Sequence, residues 1–205
     1  KVSSITATGG SVTPQAHNRI KMFDVKTTSA PATWPVSLTE VKTHLAVTHT
    51  DDDTMLTDLF KQVTREVENY CGIALGTQTK VWTFDFDCNT EYSIPYNPVA
   101  SVTSVYRKVS AGDYTELLVV NDDYDLDGQL KKTLNIFSGG RCKVTYVTGT
   151  EWATCPPDLK LGILNEIAFR YEHRGDSNKG QFSPEAFNLI FRYKEWNIIN
   201  LQSIN

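Results

Sequence analysis

The sequence predicts an α+β protein: an α-helical bundle core of about four helices with a small antiparallel β sandwich or barrel inserted into it. Two observations carry this prediction. Apolar residues recur at helical spacing in residues 35–76 and 156–193, and they alternate with polar residues in 77–150, which is typical of strands. We therefore expect a helical core domain from the first two ranges and an inserted β domain from the third. An extended N-terminal arm, 1–34, and a C-terminal tail, 194–205, flank them.

The composition is that of an ordinary globular protein. Hydrophobic residues make up 40% of the 205 residues and charged residues 21%, which is enough for one core or one core with a small satellite. No apolar run approaches the roughly 18 residues of a membrane span, and the first residues lack the apolar stretch of a signal peptide. The cysteines have no metal-ligand spacing and are predicted to be reduced thiols of an intracellular protein (Cys71, Cys88, Cys142 and Cys155).

The N-terminal arm, residues 1–34, is rich in Ser, Thr, Ala and Gly and has no hydrophobic period. Such a segment buries too little apolar surface to order itself. We therefore expect it to be disordered or laid along a neighbouring subunit.

Helix boundaries give the clearest local signals. Ser37 and Glu40 have the spacing of a capping box, which predicts the start of a first helix. The three aspartates at 51–53 suit the positive end of a second helix, and Gly72 is its expected C-cap. Ser183, followed by a proline, predicts the start of the last helix. The apolar residues that we assign to the helical core are Leu56, Leu59, Val63, Val67, Ile163, Ile167, Phe187 and Ile190.

Strands are predicted where β-branched and aromatic residues cluster between turn signals, at residues 81–86, 101–106, 133–137 and 143–147. The acidic segment 123–128 matches the first half of an EF-hand calcium loop. The twelfth position of that loop would be Leu134 where calcium needs a glutamate, so we interpret 123–128 as a tight turn between two strands.

No motif indicates catalysis, a metal or a cofactor, and we expect none of the three. A nucleophile elbow, a P-loop and a dinucleotide fingerprint are missing, and no carboxylate pair stands out. His44 and His49 lie near the three aspartates, but solvated loop residues are favoured over metal ligands there. Alternating Trp82, Phe84 and Phe86 could stack on sugars or bases, although half of a sandwich core is the favoured interpretation.

Several segments of the chain follow one another in an order that is also found in a known protein family. They are 36–45 with 52–53, 66–72 with 76–79, 94–95 with 98–102, 124–128, 144–149, and 156–160 leading to 171–174. In this order they resemble a family of tailed-phage head–tail connector proteins, also called adaptor or head-completion proteins. The resemblance covers residues 35–193. Within it, segments 124–128 and 144–149 are similar to two later strands of the family. The resemblance rests on the ordered set of segments, since no single one is diagnostic.

The resemblance implies a structural virion protein rather than an enzyme. Such a protein is a subunit of a homo-oligomeric ring, usually dodecameric, that lies beneath the portal in the virion neck. The ring closes the capsid after DNA packaging and provides the platform for tail attachment, so the portal protein and a tail-side neck or tail protein are the expected partners. Assembly would take place in the host cytoplasm, without a membrane.

DNA would pass through the channel of such a ring without sequence-specific binding. The net charge of −4 agrees with this expectation, because a protein whose main task is to bind phosphates needs a basic surface. A neutral or acidic wall would instead keep a polyanion from adhering.

The C-terminal tail is too apolar for a free terminus. Trp196 and Ile199 could fold back onto the subunit's own helices, or the tail could dock on a partner subunit, for which the portal is the favoured candidate. The expected portal-binding residues are Trp196, Ile198, Ile199, Leu201 and Ile204.

Two other function classes are compatible with the sequence. A carbohydrate- or nucleic-acid-binding β module would need an exposed aromatic platform at Trp82, Phe84 and Tyr106. A virion-associated hydrolase would need two carboxylates that converge in a cleft. The exposure of the aromatic rings separates the first of these from a structural role.

Overall fold

A computed structural model describes residues 24–31, 33–86, 90–109, 114–128, 131–137, 139–149, 155–174 and 182–194. It confirms the α+β class, with four α-helices and antiparallel sheets. The helices are α1 (Leu38–Leu45), α2 (Asp53–Cys71), α3 (Pro157–Glu172) and α4 (Pro184–Ile190), and a 3₁₀ turn at Phe191–Tyr193 follows α4.

Eight strands lie between α2 and α3 or just before α1. They are β1 (Asp24–Ser29), β2 (Gln78–Phe86), β3 (Thr90–Ser93), β4 (Val99–Lys108), β5 (Tyr114–Leu117), β6 (Tyr124–Asp127), β7 (Thr133–Ile136) and β8 (Gly140–Thr148). One sheet has the strand order β1-β2-β8-β4-β5 and the other β3-β7-β6. All of these strands pair antiparallel.

The helix starts and ends follow from their capping residues, as predicted. The Ser37 side chain accepts a hydrogen bond from the backbone N–H of Glu40, and the Glu40 carboxylate accepts one from the backbone N–H of Ser37, so the capping box is confirmed. Gly72 ends α2 with a φ of 72°, which a residue with a Cβ adopts only with strain. Ser183 caps α4 by accepting a hydrogen bond from the N–H of Ala186.

The expectation that the extended arm 1–34 is disordered or laid along a neighbouring subunit is wrong for its last part. Residues 24–29 form β1, which pairs with β2 of the same chain and places Val25 opposite Trp82. The ring of Trp34 lies edge-on to Phe60, with 6.2 Å between ring centroids. These contacts were hidden because β1 contains a single apolar residue and therefore shows no alternation. Residues 1–23 lie outside the described part of the chain.

The interpretation of the acidic segment 123–128 as a tight turn is wrong, whereas the resemblance of 124–128 to a later strand of the family is confirmed. Residues 124–127 form β6, which pairs with β7 so that Tyr124 lies opposite Ile136. Tyr124 is buried in the sheet core, and that burial outweighs the low strand propensity of the neighbouring aspartates. The four-residue strands β3 and β5 were not predicted either, since such short segments carry too little periodicity to detect.

The buried residues form two separate clusters. Residues of both sheets form the β cluster, which contains Trp82, Phe84, Tyr92, Ile94, Val99, Val105, Leu118, Tyr124, Leu134, Ile136, Cys142, Val144 and Tyr146. Residues from both ends of the chain form the helical cluster, which contains Val36, Val41, Leu56, Phe60, Val63, Val67, Cys71, Leu75, Leu159, Ile163, Ile167, Ala186 and Ile190.

Two residues that we assigned to the helical core lie at or beyond its margin. Leu59 is only partly buried and packs against the helical cluster from outside. Phe187 is 39% exposed, so its assignment to the buried core is wrong. The helix α4 has only seven residues, and Ala186 and Ile190, one turn apart, take its buried face. Phe187 therefore lies beside that face, with its ring centroid 6.0 Å from that of Tyr70.

Candidate interaction surfaces

A buried polar junction connects the helical core to the β strands. The Glu68 carboxylate, on α2, accepts a hydrogen bond of 2.7 Å from the backbone N–H of Leu75 and one of 2.9 Å from the Gln78 amide at the start of β2. Burial raises the pKa of Glu68, against the opposing effects of the Leu75 N–H and the Lys80 ammonium. One carboxylate thus fixes the direction in which the chain leaves α2 and enters the sheet.

Lys80 and Tyr96 extend this junction on the sheet side. The Lys80 ammonium lies 4.0 Å from the Tyr96 ring centroid and donates to the Thr27 hydroxyl at 3.0 Å. Burial lowers the pKa of Lys80, and Glu68 opposes that change. The Tyr96 hydroxyl donates to the Asn69 side chain of α2 at 3.0 Å. The strands β1 and β2, the loop before β4 and the end of α2 therefore share one set of polar contacts.

A second buried carboxylate, Glu166 of α3, orders the last helix. It accepts hydrogen bonds of 2.7 Å from Arg170 and of 2.7 Å from the backbone N–H of Ser183, the residue that caps α4. Arg170 also donates to Glu66 of α2 at 2.5 Å. A fully buried carboxylate requires such partners, because an uncompensated charge in the core would be strongly destabilising. The direction of α4, and of the chain beyond it, depends on this network.

Apolar side chains are exposed at the end of β5 and just after β5 and β7. Leu117, Val119, Val120 and Phe137 are 55%, 52%, 44% and 37% exposed. They are neighbours through Asp123, whose N–H donates to the Val119 carbonyl and whose carbonyl accepts from the Phe137 N–H. We call these four residues, with the flanking exposed acids Asp122 and Asp127, the β5 edge surface.

A second exposed apolar surface lies at the end of the helical core. The rings of Phe187 and Phe191 stack with 5.5 Å between centroids and are 39% and 40% exposed. Arg192 is exposed beside them, and the Lys194 ammonium lies 4.5 Å from the Tyr70 ring centroid. We call Phe187, Phe191, Arg192 and Lys194 the α4 end surface.

The thiols and acidic side chains of the described residues do not assemble a reactive centre. Cys71 and Cys142 are buried, and burial raises the pKa of each thiol to about 12, which keeps both protonated near neutral pH. Cys155 is half-buried, and Cys88 lies outside the described residues. Among the residues that the structure places, no three His, Cys, Asp or Glu side chains are grouped to hold a metal ion. The exposed His44 and His49 belong to no such group.

Two of the aromatic strand residues that could have formed a platform for sugars or bases, Trp82 and Phe84, are core residues. Trp82 and Phe84 are each 1% exposed, and their rings stack with 3.7 Å between centroids. Tyr106 is half-buried, with the Lys143 ammonium 5.3 Å from its ring centroid. An exposed stacking platform at Trp82 and Phe84 is therefore excluded.

The predicted portal-binding residues all lie outside the described residues: Trp196, Ile198, Ile199, Leu201 and Ile204. The structure thus brings together the helical residues of the two ends of the chain but does not test the tail. Sequence analysis missed Glu68 and both exposed apolar surfaces. Glu68 carried a usable signal, since it interrupts the buried face of α2 between Val67 and Cys71.

Comparisons with known proteins place these observations in a family. Residues 36–182, well over half of the chain, match the family described as head completion protein. No curated protein matches the sequence. In the described part of the chain, no helix is both long and apolar enough to cross a membrane.

Solved structures share the fold. One is from the neck of an empty gene transfer agent particle computed with C6 symmetry, with a TM-score of 0.68 and 19% identity over 86% of this chain and 98% of that chain. Another, from the virion of the native gene transfer agent particle, has the same score and identity and covers 86% and 97%. A third, from the neck of the native particle computed with C12 symmetry, again has a TM-score of 0.68 and 19% identity, covering 86% and 98%. At this identity the likeness establishes the fold.

Proposed function

The chain belongs to the head completion protein family, and we propose from this premise that it is a structural protein of the virion neck, a subunit of the adaptor ring beneath the portal. In this position it closes the capsid after DNA packaging and provides the platform for the tail. The single observation that carries the proposal is the family match over residues 36–182, which spans α1, α2, α3 and all strands except β1.

Two further observations support a ring. The structures with the same fold come from particle necks computed with C6 and C12 symmetry, which are compatible with a dodecamer. The subunit also has two exposed apolar surfaces, one on each of its two modules. Monomeric proteins seldom leave such patches exposed without a partner. The net charge of −4 per subunit agrees with a channel to which DNA does not adhere.

The tail supplies the contact with the portal in this proposal. Burial of Trp196 and the tail aliphatics Ile198, Ile199, Leu201 and Ile204 would contribute roughly 1.5–3 kcal/mol each, repeated around the ring. Removing residues 196–205 should leave the thermal midpoint unchanged and abolish co-assembly with portal protein. Co-assembly that survives the deletion would contradict the role of the tail. A truncated chain that unfolds would instead place the tail on the subunit's own core.

Particles made without this protein test the function itself. We expect heads that package DNA, lose it on storage and carry no tails, and we expect purified wild-type protein to restore tail joining. Purified protein is expected to hydrolyse neither peptidoglycan nor nucleic acid. Tailed, DNA-retaining particles in the absence of the protein would contradict the proposal.

A further inference from the structure

The first strand of the five-stranded sheet, β1, is attached to the protein through few contacts. In the described part of the chain it is the outermost strand and pairs with β2 over five residue pairs, whereas β2 pairs with β8 over nine. Five of its six residues are exposed, and Val25 is half-buried against the β cluster. Burial of one partly covered valine stabilises β1 far less than the fully buried aromatic side chains stabilise β2.

A buried lysine lies beside β1 and opposes its attachment. Lys80 is 4% exposed and lies opposite Thr27 in the strand pairing, where its ammonium donates to the Thr27 hydroxyl at 3.0 Å. Burial lowers the pKa of Lys80, so the charged form is less favourable here than in water. A hydroxyl and the nearby Tyr96 ring offset the lost hydration of an ammonium only in part. Closing β1 over Lys80 is therefore partly unfavourable.

The chain after β1 is anchored independently of that strand. The Trp34 ring lies edge-on to Phe60, the Arg65 guanidinium lies 5.7 Å from the Trp34 ring centroid, and Val36 is 1% exposed. Among the described residues, the fully buried members of both clusters all come from elements other than β1. The family match likewise begins at residue 36, after β1. A change in the backbone before Trp34 would thus separate β1 from β2 and leave both cores as they are.

The strands β1 and β2 differ in the features that attract other chains. The longer strand, β2, has nine residues, and its apolar members are Val81, Trp82, Phe84 and Phe86. The shorter strand, β1, has six residues, of which only Val25 is apolar, and its charged residues Asp24 and Lys26 are exposed. A long apolar edge strand is a template for pairing with another chain, and native proteins protect such edges with short, charged strands. The presence of β1 therefore replaces an edge that favours association by one that disfavours it.

We propose that β1 is a releasable strap that covers the β2 edge of the free subunit and opens while both cores stay folded. When the strap is open, the β2 edge of one copy is available to the same edge of a second copy, in antiparallel pairing about a two-fold axis. When it is closed, free subunits do not associate in this way. The proposal does not depend on the ring of the proposed function, because it concerns the isolated subunit.

Hydrogen exchange of the full-length protein, resolved to single amides, tests whether the strap opens. The amides that bond between β1 and β2 should exchange roughly 100-fold faster than those that bond between β2 and β8, because only the first set is freed without unfolding a core. Lys26 and Val81 lie directly opposite each other, so Lys26→Cys with Val81→Cys should form a disulfide across the pairing. The oxidised pair should slow the fast exchange, and reduction should restore it. Equal exchange of the two sets in wild type, or fast exchange that the disulfide leaves unchanged, would overturn the proposal.

Two aspartate substitutions in the full-length chain test whether the strap prevents association. Val25→Asp places a carboxylate opposite Trp82 and should hold the strap open, whereas Ser29→Asp adds the same charge at the exposed end of β1 and is the control. In sedimentation across a range of concentrations, Val25→Asp should self-associate about tenfold more strongly than wild type or Ser29→Asp. Its thermal midpoint should stay close to that of wild type. Adding the oxidised cysteine pair to Val25→Asp should remove the extra association.

The opposite results would contradict the proposal. A Val25→Asp protein that sediments like wild type, or whose extra association persists in the oxidised cysteine variant, would show that β1 does not cover an associating edge. A Val25→Asp protein that unfolds as a whole would show that β1 is part of the β core rather than a strap. These results leave the head–tail role untouched, since particles made without the protein test that role separately.

Discussion

The helical core and the β module differ in how their buried residues are distributed along the chain. Among the described residues, each cluster contains 13 buried residues, so the clusters differ in the origin and type of those residues rather than in their number. The β cluster comes entirely from residues 82–146 and includes five large aromatic side chains, whereas the helical cluster joins residues 36–75 to 159–190 and includes one, Phe60. The β module can form its core from a continuous segment, but the helical core needs both ends of the chain.

This difference assigns distinct tasks to the two modules. The helical core joins α1 and α2, near the start of the described chain, to α3 and α4, near its end. The β module projects from that core through the Glu68 junction and carries the larger exposed apolar surface. Of the eight exposed large apolar side chains among the described residues, five thus belong to the β module and three to the helical core.

The largest loss of stability is expected for a substitution in the aromatic centre of the β module. Phe84→Ala removes the ring that stacks on Trp82 and leaves a cavity among fully buried side chains. We expect a loss of about 3–5 kcal/mol in the free energy of unfolding, measured by denaturant titration. Thr83→Ala, on the opposite face of the same strand, is the control and should change it little. If hydrogen exchange showed α2 and α3 opening as much as the strands, the two modules would not be separable.

A slightly smaller effect is expected in the helical core. Ile167→Ala truncates a fully buried side chain on α3 that belongs to the same cluster as Leu56 and Val63 of α2. The expected cost is about 2–5 kcal/mol. Leu161→Ala on the exposed face of α3 provides the control. An unchanged thermal midpoint for Ile167→Ala would show that the helices from the two ends of the chain do not share a core.

A substitution at the junction between the modules should cost less unfolding free energy, but it should specifically weaken the coupling between the strands and the helices. Glu68→Ala leaves the backbone N–H of Leu75 and the Gln78 amide without their buried acceptor. We expect a cost of about 1–3 kcal/mol, and we expect the strands and helices to unfold at more widely separated denaturant concentrations. Transitions that stay coincident, monitored by tryptophan fluorescence and far-UV circular dichroism, would argue against a coupling role.

Glu68→Gln is the matched variant because it keeps an acceptor and removes the charge. The pKa of Glu68 is raised in the folded protein, so the folded state binds a proton more readily than the unfolded state. Lowering the pH through that raised pKa should therefore stabilise wild type relative to Glu68→Gln, down to the unfolded value near 4.5. A stability difference between the two proteins that is independent of pH would show that Glu68 is not buried as a carboxylate.

The smallest loss of stability is expected for a substitution at the start of α1. Ser37→Ala removes one half of the capping box, whose other half is the Glu40 carboxylate. The cost should be about 0.5–2 kcal/mol in unfolding free energy. Ser37→Asp keeps a side-chain acceptor and should recover much of that loss. A cost equal to that of Ile167→Ala would mean that α1 contributes more to the core than Val41 alone suggests.

The sequence predicted features that depend on local chemistry and missed those that depend on distant contacts. Helix ends at Ser37, Gly72 and Ser183 follow from capping, and the longer strands follow from their alternation. The strand β1 became visible only through its pairing with β2, and β6 through the burial of Tyr124 against Ile136. Both strands depend on partner strands elsewhere in the chain, and the apolar pattern within a single segment does not show such pairing.

The interaction surfaces were harder to predict for a related reason. Phe187 has the spacing of a core residue, and only the short length of α4 and the packing of Ala186 and Ile190 leave it exposed. Leu117 lies next to the buried Leu118, so the sequence alone does not say which of the two faces solvent. Glu68 lies on the buried face of a helix. The hydrogen-bond donors that its carboxylate accepts from belong to residues seven and ten positions later in the chain.

The copy number of the protein in purified particles tests the central claim most directly. A structural ring beneath the portal requires as many copies of this chain as the symmetry of the ring demands, in a fixed ratio to the portal protein. We predict a molar ratio to portal of about one, by quantitative mass spectrometry of intact particles, with the chain retained in isolated necks. Absence from the particles, or only a small and variable number of copies per particle, would contradict the proposed role.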